Sequence, residues 1–416
     1  MNQESGYINR LLQGAEVEWK KLGEVAEFQN GFAFQSARFK EVGLPIIRIT
    51  NIANDNVDLV DVKYFNPDDY KNANLHNYVV QKGDVLIAMS GATTGKIGYY
   101  DLIESAYLNQ RVGKFIPDKE VLNNRFLYHF ILTKSTFLYA LAGGGAQPNL
   151  SSTMLKEKLL IPIPPLAVQE EIVTILDKFT ELTTELTTEL TARQKQYEYY
   201  REKLLTFEEG EVEHLYMDDE RIGKFIRGKR FVKNDILSDG VPAIHYGEMY
   251  TYYGTWTDKT ISFVSKDLVD KKKLRSAGRG SIIIVAAGET VEDIGKGTAW
   301  LGEKDVVIHD ACFSYTTILN PKFVAYFTRT KQFHTQIKKH ISSGKISAIN
   351  ARGLGKTKIP IPPLAEQERI VAILDKFDTL TNSISEGLPK EIELRQKQYE
   401  YYRDLLLTFP KKRKST

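Results

Sequence analysis

The stretch Ile161-Pro-Ile-Pro-Pro-Leu-Ala167 recurs as Ile359-Pro-Ile-Pro-Pro-Leu-Ala365, 198 residues further along the chain. At the same offset Leu176-Asp-Lys-Phe179 returns as Leu374-Asp-Lys-Phe377. Arg193-Gln-Lys-Gln-Tyr-Glu-Tyr-Tyr-Arg201 returns as Arg395-Gln-Lys-Gln-Tyr-Glu-Tyr-Tyr-Arg403, now offset by 202. Three matches in the same order exclude chance, so the chain is a tandem duplication of one module. The second copy is four residues longer between its Phe and its Arg. The parts that precede these matches echo each other more faintly. Gly43-Leu-Pro45 answers Gly240-Val-Pro242, and Gly83-Asp-Val-Leu-Ile87 answers Gly280-Ser-Ile-Ile-Ile284, both offset by 197. Elsewhere the two globular halves share little. A common scaffold is kept while the material carried on it differs.

Each module reads as a strand-rich domain followed by a long helix, an α+β fold. Leu44–Thr50, Asp84–Met89 and Lys96–Tyr100 are short β-branched or aromatic runs between glycine-rich turns. Val241–Tyr246, Ser281–Ala286 and Val306–Ile308 answer them in the second half, and short helices are expected around Asn124–Tyr139 and Phe323–Ile341. Proline lacks an amide donor and fixes φ, so the Ile-Pro-Ile-Pro-Pro run is neither helix nor central strand. It reads as a stiff extended hinge. Beyond it Ile172, Ile175, Phe179, Leu182, Leu186, Leu190, Tyr197, Tyr200 and Leu204 recur at helical spacings. A helix from Val168 to Leu205 runs roughly 55 Å and needs a partner for its apolar stripe. The second copy supplies one in Ile370, Ile373, Phe377, Leu380, Ile384, Tyr399, Tyr402 and Leu406, interrupted by Gly387-Leu-Pro389, where a kink or break is expected. The expected divisions are 1–160, first domain; 161–210, hinge and helix; 211–358, second domain; 359–409, hinge and helix; and 410–416, a basic tail.

Composition sets the broad class. With 416 residues, 42% hydrophobic and 26% charged, the chain suits two soluble domains with connecting elements. Its longest apolar run, Ile282–Ala287, is too short to span a bilayer, and Met1–Arg10 has no signal-peptide pattern. Cys312 is the one cysteine, which excludes an internal disulfide or a cysteine metal cluster. It reads as a small buried hydrophobe in a reducing, cytoplasmic setting. The net charge of +3 says little, but its distribution says more. Arg221, Lys224, Arg227, Lys229, Arg230 and Lys233 form one basic stretch; Lys271, Lys272, Lys273, Arg275 and Arg279 form another. Such clusters suit a polyanion.

Enzyme motifs are missing. Gly91-Ala-Thr-Thr-Gly-Lys-Ile-Gly98 has three residues between its first two glycines and Ile97 after Lys96, whereas a nucleotide loop needs four and then Ser or Thr. The run suits a hairpin tip whose Thr93, Thr94 and Lys96 approach a nucleic-acid backbone. No dinucleotide fingerprint, methyltransferase Asn-Pro-Pro-Tyr motif or metal-ligand histidine spacing occurs, so no metal site or bound cofactor is expected. Base edges are matched by Arg, Lys, Asn and Gln. Candidates on glycine-punctuated loops are Asn109, Gln110, Arg111, Gln147 and Asn149 in the first domain, and His309, Lys345 and Asn350 in the second. Arg227, Lys229, Arg230, Lys273 and Arg275 join them from the basic stretches. Leu182-Thr-Thr-Glu-Leu-Thr-Thr-Glu-Leu190 is a tetrapeptide repeat, with Leu182, Leu186 and Leu190 in register. Each unit of it adds ~6 Å and ~40° to a helix. A helical scaffold with lids that bind no DNA, or an enzyme with ATP or methyl-transfer chemistry, are the competing readings.

The layout resembles the specificity subunit of type I restriction-modification enzymes, in the branch with tetrapeptide repeats in the central spacer helix. The resemblance is carried by Pro-Pro-Leu-Ala-x-Gln-Glu at Pro164–Glu170 and Pro362–Glu368 and by the Arg-Gln-Lys-Gln-Tyr-Glu-Tyr-Tyr-Arg repeats, and it covers nearly the whole chain. It implies two target recognition domains, each reading half of a bipartite DNA site. It further implies an antiparallel coiled coil of the two helices with pseudo-two-fold symmetry. Two modification (methyltransferase) subunits and restriction subunits would be partners on duplex DNA, carrying the S-adenosylmethionine, ATP and Mg chemistry. The chain itself would be non-catalytic.

Overall fold

A computed structural model describes residues 3–53, 55–143, 148–344 and 346–409. It divides into two compact units, Met1–Glu185 with Ile392–Thr416, and Leu186–Glu391. Both are built to one plan. In the first unit, a four-stranded sheet among the described residues runs Lys63–Phe65, Leu44–Ile47, Ala106–Leu108, Val79–Val80. Its two central strands are parallel and its outer pairs antiparallel. The second unit repeats this with Ser262–Val264, Val241–Ile244, Val306–Ile308 and Ser276–Ala277, in the same sense. A larger sheet accompanies each, centred on Val85–Ala88 with Val112–Pro117 and on Ile282–Val285 with Cys312–Thr317. Both central strands are buried along their whole length, as uninterrupted apolar runs require.

The proline run departs from its expected role as a hinge. Leu160–Ile163 pairs antiparallel with Glu18–Lys21, and Lys358–Ile361 with Glu213–Tyr216. Each ladder has only two strands, so the missing proline donors cost no second ladder, and the run is clamped onto its own domain. The predicted helices 124–139 and 323–341 also differ. Each is two short helices: Asn124–Leu132 (α1) and Ser135–Leu141, then Pro321–Phe327 and Lys331–Lys338. Threonines cause the breaks. Thr133 and Thr328 turn their hydroxyls back onto the carbonyls of Phe130 and Ala325, competing with the helical ladder.

The long helix, α2, is unbroken from Leu166 to Leu204. Its counterpart is interrupted where the sequence indicates, into Leu364–Asn382 (α4) and Gly387–Leu406 (α5), with α3 denoting Pro321–Phe327. These pieces hold 19 and 20 residues, together the 39 of α2. The four extra residues of the second copy, 383–386, are therefore spent on the break and add no helical length. Gly387 has φ +79°, and a Cβ there would lie 2.3 Å from the Thr379 carbonyl oxygen. Within the first unit Phe179 stacks on Tyr402 at 5.2 Å; within the second Tyr200 stacks on Phe377 at 5.4 Å. The long helices thus pack together through aromatic pairs. The repeat between them buries less: Leu182 is 43% exposed, contrary to its place in the expected stripe.

The repeated motif residues tie helix to domain. Gln169 is buried; its Oε1 accepts the Asn123 N–H at 2.8 Å and its Nε2 donates to the carbonyls of Pro164 and Val121. Gln367 does the same for Asn320 N–H and the Pro362 carbonyl. Both asparagines cap the following helix, α1 or α3. Gln169→Ala or Gln367→Ala is expected to cost about 1–3 kcal/mol in urea unfolding, because buried partners are left unsatisfied. A loss under about 0.5 kcal/mol, the range of neutral surface changes, would sink this. Asp177 accepts from Arg125 and His129 of α1, and Asp375 from Lys322 and Tyr326 of α3. Burial pushes the His129 imidazole below its usual range, so it stays neutral, donating to Asp177 while Tyr399 donates to its other nitrogen.

Candidate DNA-reading turns

Three residues join the two sheets in each unit: Asn109–Arg111 between Ala106–Leu108 and Val112–Pro117, and His309–Ala311 between Val306–Ile308 and Cys312–Thr317. Their main chains are held identically. Asn109 N–H donates to the Ile47 carbonyl at 3.0 Å, and His309 N–H to Ile244 at 3.3 Å. The Arg111 carbonyl accepts from Met89 N–H, and the Ala311 carbonyl from Ala286 N–H. Phe32 N–H reaches the Leu108 carbonyl, and Lys229 N–H the Ile308 carbonyl. Just before these residues lie Gly31 and Gly228. A Cβ on Gly31 would fall 1.9 Å from the Asn109 oxygen, and one on Gly228 2.1 Å from the His309 oxygen. Both glycines are required by close backbone approach.

On this shared frame the side chains diverge. Gln110 and Arg111 are exposed, and Asn109 is half-buried. His309 is buried, its ring centroid 4.7 Å from that of His245, 5.2 Å from Phe231 and 5.1 Å from Tyr246. Its Nδ1 lies 3.1 Å from the Ala311 amide nitrogen and 3.1 Å from an Asp310 carboxylate oxygen, and burial holds its pKa below the usual range. His309 is thus a shaped part of an aromatic wall instead of a free loop residue. Tandem basic stretches that are distant in sequence meet beside it. Arg227 Nε donates to the Asp310 carbonyl at 2.9 Å, Arg275 donates to the Arg227 carbonyl at 2.8 Å, and Lys229 Nζ reaches the Lys272 carbonyl at 3.4 Å. Arg230 and Lys273 are exposed alongside them in sequence.

The glycine loop keeps one of its three candidates at the surface. Lys96 is exposed. Thr94 is buried and donates its hydroxyl to the carbonyls of Gly91 and Pro148, closing the turn. Thr93 is half-buried. The same hairpin closes in the second unit, where Gly295 N–H and the Lys296 carbonyl bond Val285 as Gly95 and Lys96 bond Ala88. Lys296, paired with Asp293, escaped the sequence reading, because its offset of 200 from Lys96 departs from the 197 that relates the other globular matches. Asn149 is exposed and bridges Ser90. Asn350 is exposed and caps a helix, its side chain accepting the Gly353 N–H at 2.8 Å. Gln147, Lys345 and the tail 410–416 lie outside the described residues. Cys312 is fully buried and burial pushes its thiol pKa up, as the reading of it as a small hydrophobe requires. Among the described residues, no helix is long and apolar enough to cross a membrane.

The family model for the type I restriction modification DNA specificity domain matches residues 15–195 and 220–394, once on each module. The chain belongs to this family. The specificity subunit named for the EcoR124I/EcoR124II type I restriction enzyme of Escherichia coli is 33% identical to it, over 98% of each chain. A Haemophilus influenzae protein named for a type I restriction enzyme specificity subunit is 37% identical, over 98% of this chain and 100% of that one. In fold, the chain is similar to one from a structure concerned with assembly of the type I restriction-modification system, with TM-score 0.60 at 17% identity, covering 94% and 98% of the two. This specificity subunit is the non-catalytic recognition member of such a system, and its two turns carry different side chains on a common frame.

Proposed function

We propose that this specificity subunit reads a bipartite, asymmetric DNA sequence, one half-site per globular domain, across a non-specific spacer whose length the helices set. The observation that carries this reading is the pair of turns, identical in main-chain bonding yet Asn-Gln-Arg in one and His-Asp-Ala in the other. A chain that bound one partner twice would keep the side chains along with the turn. Asn, Gln, Arg and His all offer hydrogen bonds to base edges, the chemistry that direct readout needs. The conserved parts, the clamped proline run, its glutamine and the paired helices, suit docking of two methyltransferase subunits, with restriction subunits joining them. S-adenosylmethionine, ATP and Mg belong to those partners, and the assembly acts in the cytoplasm. The Leu182, Leu186 and Leu190 repeat belongs to the branch in which repeat number sets the spacer.

Exchanging residues 212–355 for those of another specificity subunit is expected to change one half of the methylated motif and leave the other half intact. Methylome sequencing of cells supplying the partner subunits reads this directly. A change in both halves, or in neither, would overturn the assignment of one half-site to each domain.

A further inference from the structure

We infer that the two domains hold DNA by different physics: the second grips the phosphate backbone beside its reading turn with a cluster of fixed cations, and the first sets aromatic side chains in that place. The inference rests on the DNA-reading role proposed above. Equivalent positions can be matched by main-chain bonding. Phe32 and Lys229 make the same bond to the strand before the turn, so Asn30, Phe32 and Ala33 stand where Arg227, Lys229 and Arg230 stand. Val80 pairs with Ala106 as Ala277 pairs with Val306. Counting back equally in sequence from these strands, Asn74, Leu75, His76 and Tyr78 answer Lys271, Lys272, Lys273 and Arg275, the first run forming a 3-10 turn at Leu75–Tyr78 and the second closing a helix at Lys266–Lys272.

At these seven positions the second domain carries a formal cation each time and the first carries none. The replacement is not a neutral surface. Phe32 packs at 5.2 Å on Tyr78 and at 5.6 Å on Tyr70, so rings join where the second domain has Lys229 and Arg275. Of the nearby cations of the first domain, Lys40 pairs with Asp69 and Arg48 with Asp61, while Arg38 lies over the Tyr70 ring and donates to the Asp69 carbonyl, a cation fixed as those of the second domain are. In the second domain, of the cations matched here, Lys272 pairs with an acid, Asp235. Arg227, Lys229 and Arg275 donate to backbone carbonyls, which fixes them without neutralising them. Fixed cations on main-chain supports are what register on phosphates needs. Arg111 and Lys96 remain exposed in the first domain and mark the limit of backbone contact there.

The test uses the full chain assembled with its methyltransferase subunits, on a duplex carrying the motif found by methylome sequencing and on a scrambled duplex. Affinity is measured from low to moderate salt. Arg230→Gln, Lys271→Gln and Lys273→Gln together, all exposed, are expected to flatten the log-affinity against log-salt slope by about 2–3, near 0.9 per lost phosphate contact. The preferred sequence stays the same. Lys40→Gln with Lys71→Gln in the first domain, whose side chains pair with Asp69 and Asp68, leaves the slope within about 0.5 of its starting value. Installing Ala33→Arg and His76→Lys steepens it. Unchanged slope in the triple variant, with target preference intact, overturns this inference alone. No preference for the target by the unaltered complex would instead overturn the DNA-reading role beneath it.

Discussion

Replacing Gly228 with alanine is expected to abolish recognition of the second half-site while leaving the first half-site's contribution intact. The added Cβ would lie 2.1 Å from the His309 carbonyl oxygen, and that oxygen already accepts the Cys312 N–H at 3.0 Å. The turn must therefore move away from the strand that carries Arg227 and Lys229, which separates the reading side chains from their supports. Misplacing even one bidentate base contact costs about 1–3 kcal/mol of discrimination, roughly ten- to hundredfold in affinity ratio. Overpacking adds about 1–3 kcal/mol of lost stability in the second unit. Binding of the assembled complex to duplexes with either half-site scrambled separates the two effects, with thermal unfolding as the control for folding. Wild-type discrimination at the second half-site would show that this turn does not read DNA. Gly31→Ala makes the mirror-image prediction, with a closer approach of 1.9 Å to Asn109.

Deletion of Thr183–Leu186 is expected to change the spacer in the methylated motif by about one or two base pairs, with both half-sites kept. The deletion removes one whole tetrapeptide, so Leu182 is followed again by Thr-Thr-Glu-Leu and local sequence is unaltered. Helix geometry then shortens α2 by ~6 Å, against about 3.4 Å per base pair of DNA. The segment tolerates this because little core depends on it. Leu182 is 43% exposed, and Thr183, Thr184 and Thr191 bond the carbonyl four residues back, a pattern any number of repeats preserves. The firm packing lies toward the helix ends, where Ile172, Leu176, Tyr197 and Leu205 are buried. Methylome sequencing of the deletion strain gives the new motif. Altered half-sites at constant spacing would sink the ruler.

Much of this architecture was legible from residues alone. The duplication, the unbroken first helix, the break at Gly387 and the exclusion of proline from a central strand follow from repeats, 3.6-residue periodicity and proline chemistry. Each of these is a local constraint, written in adjacent residues and independent of what packs against them. The candidate site was half legible. Asn109–Arg111 and His309 stand out as polar residues near glycines, but nothing in the sequence says that they occupy one and the same turn.

Tertiary structure decided that equivalence, and it decided the rest by long-range pairing. Gly31 and Asn109, or Gly228 and His309, are some 80 residues apart and meet only because sheet register brings their backbones together. The same register gathers two basic stretches onto one turn, buries His309 in an aromatic wall and turns Thr94 inward. It also gives Gln169 and Gln367 their task of fastening helix to domain. Burial and hydrogen-bond partnership are properties of the folded surface, so residue type named the candidates and packing assigned their work.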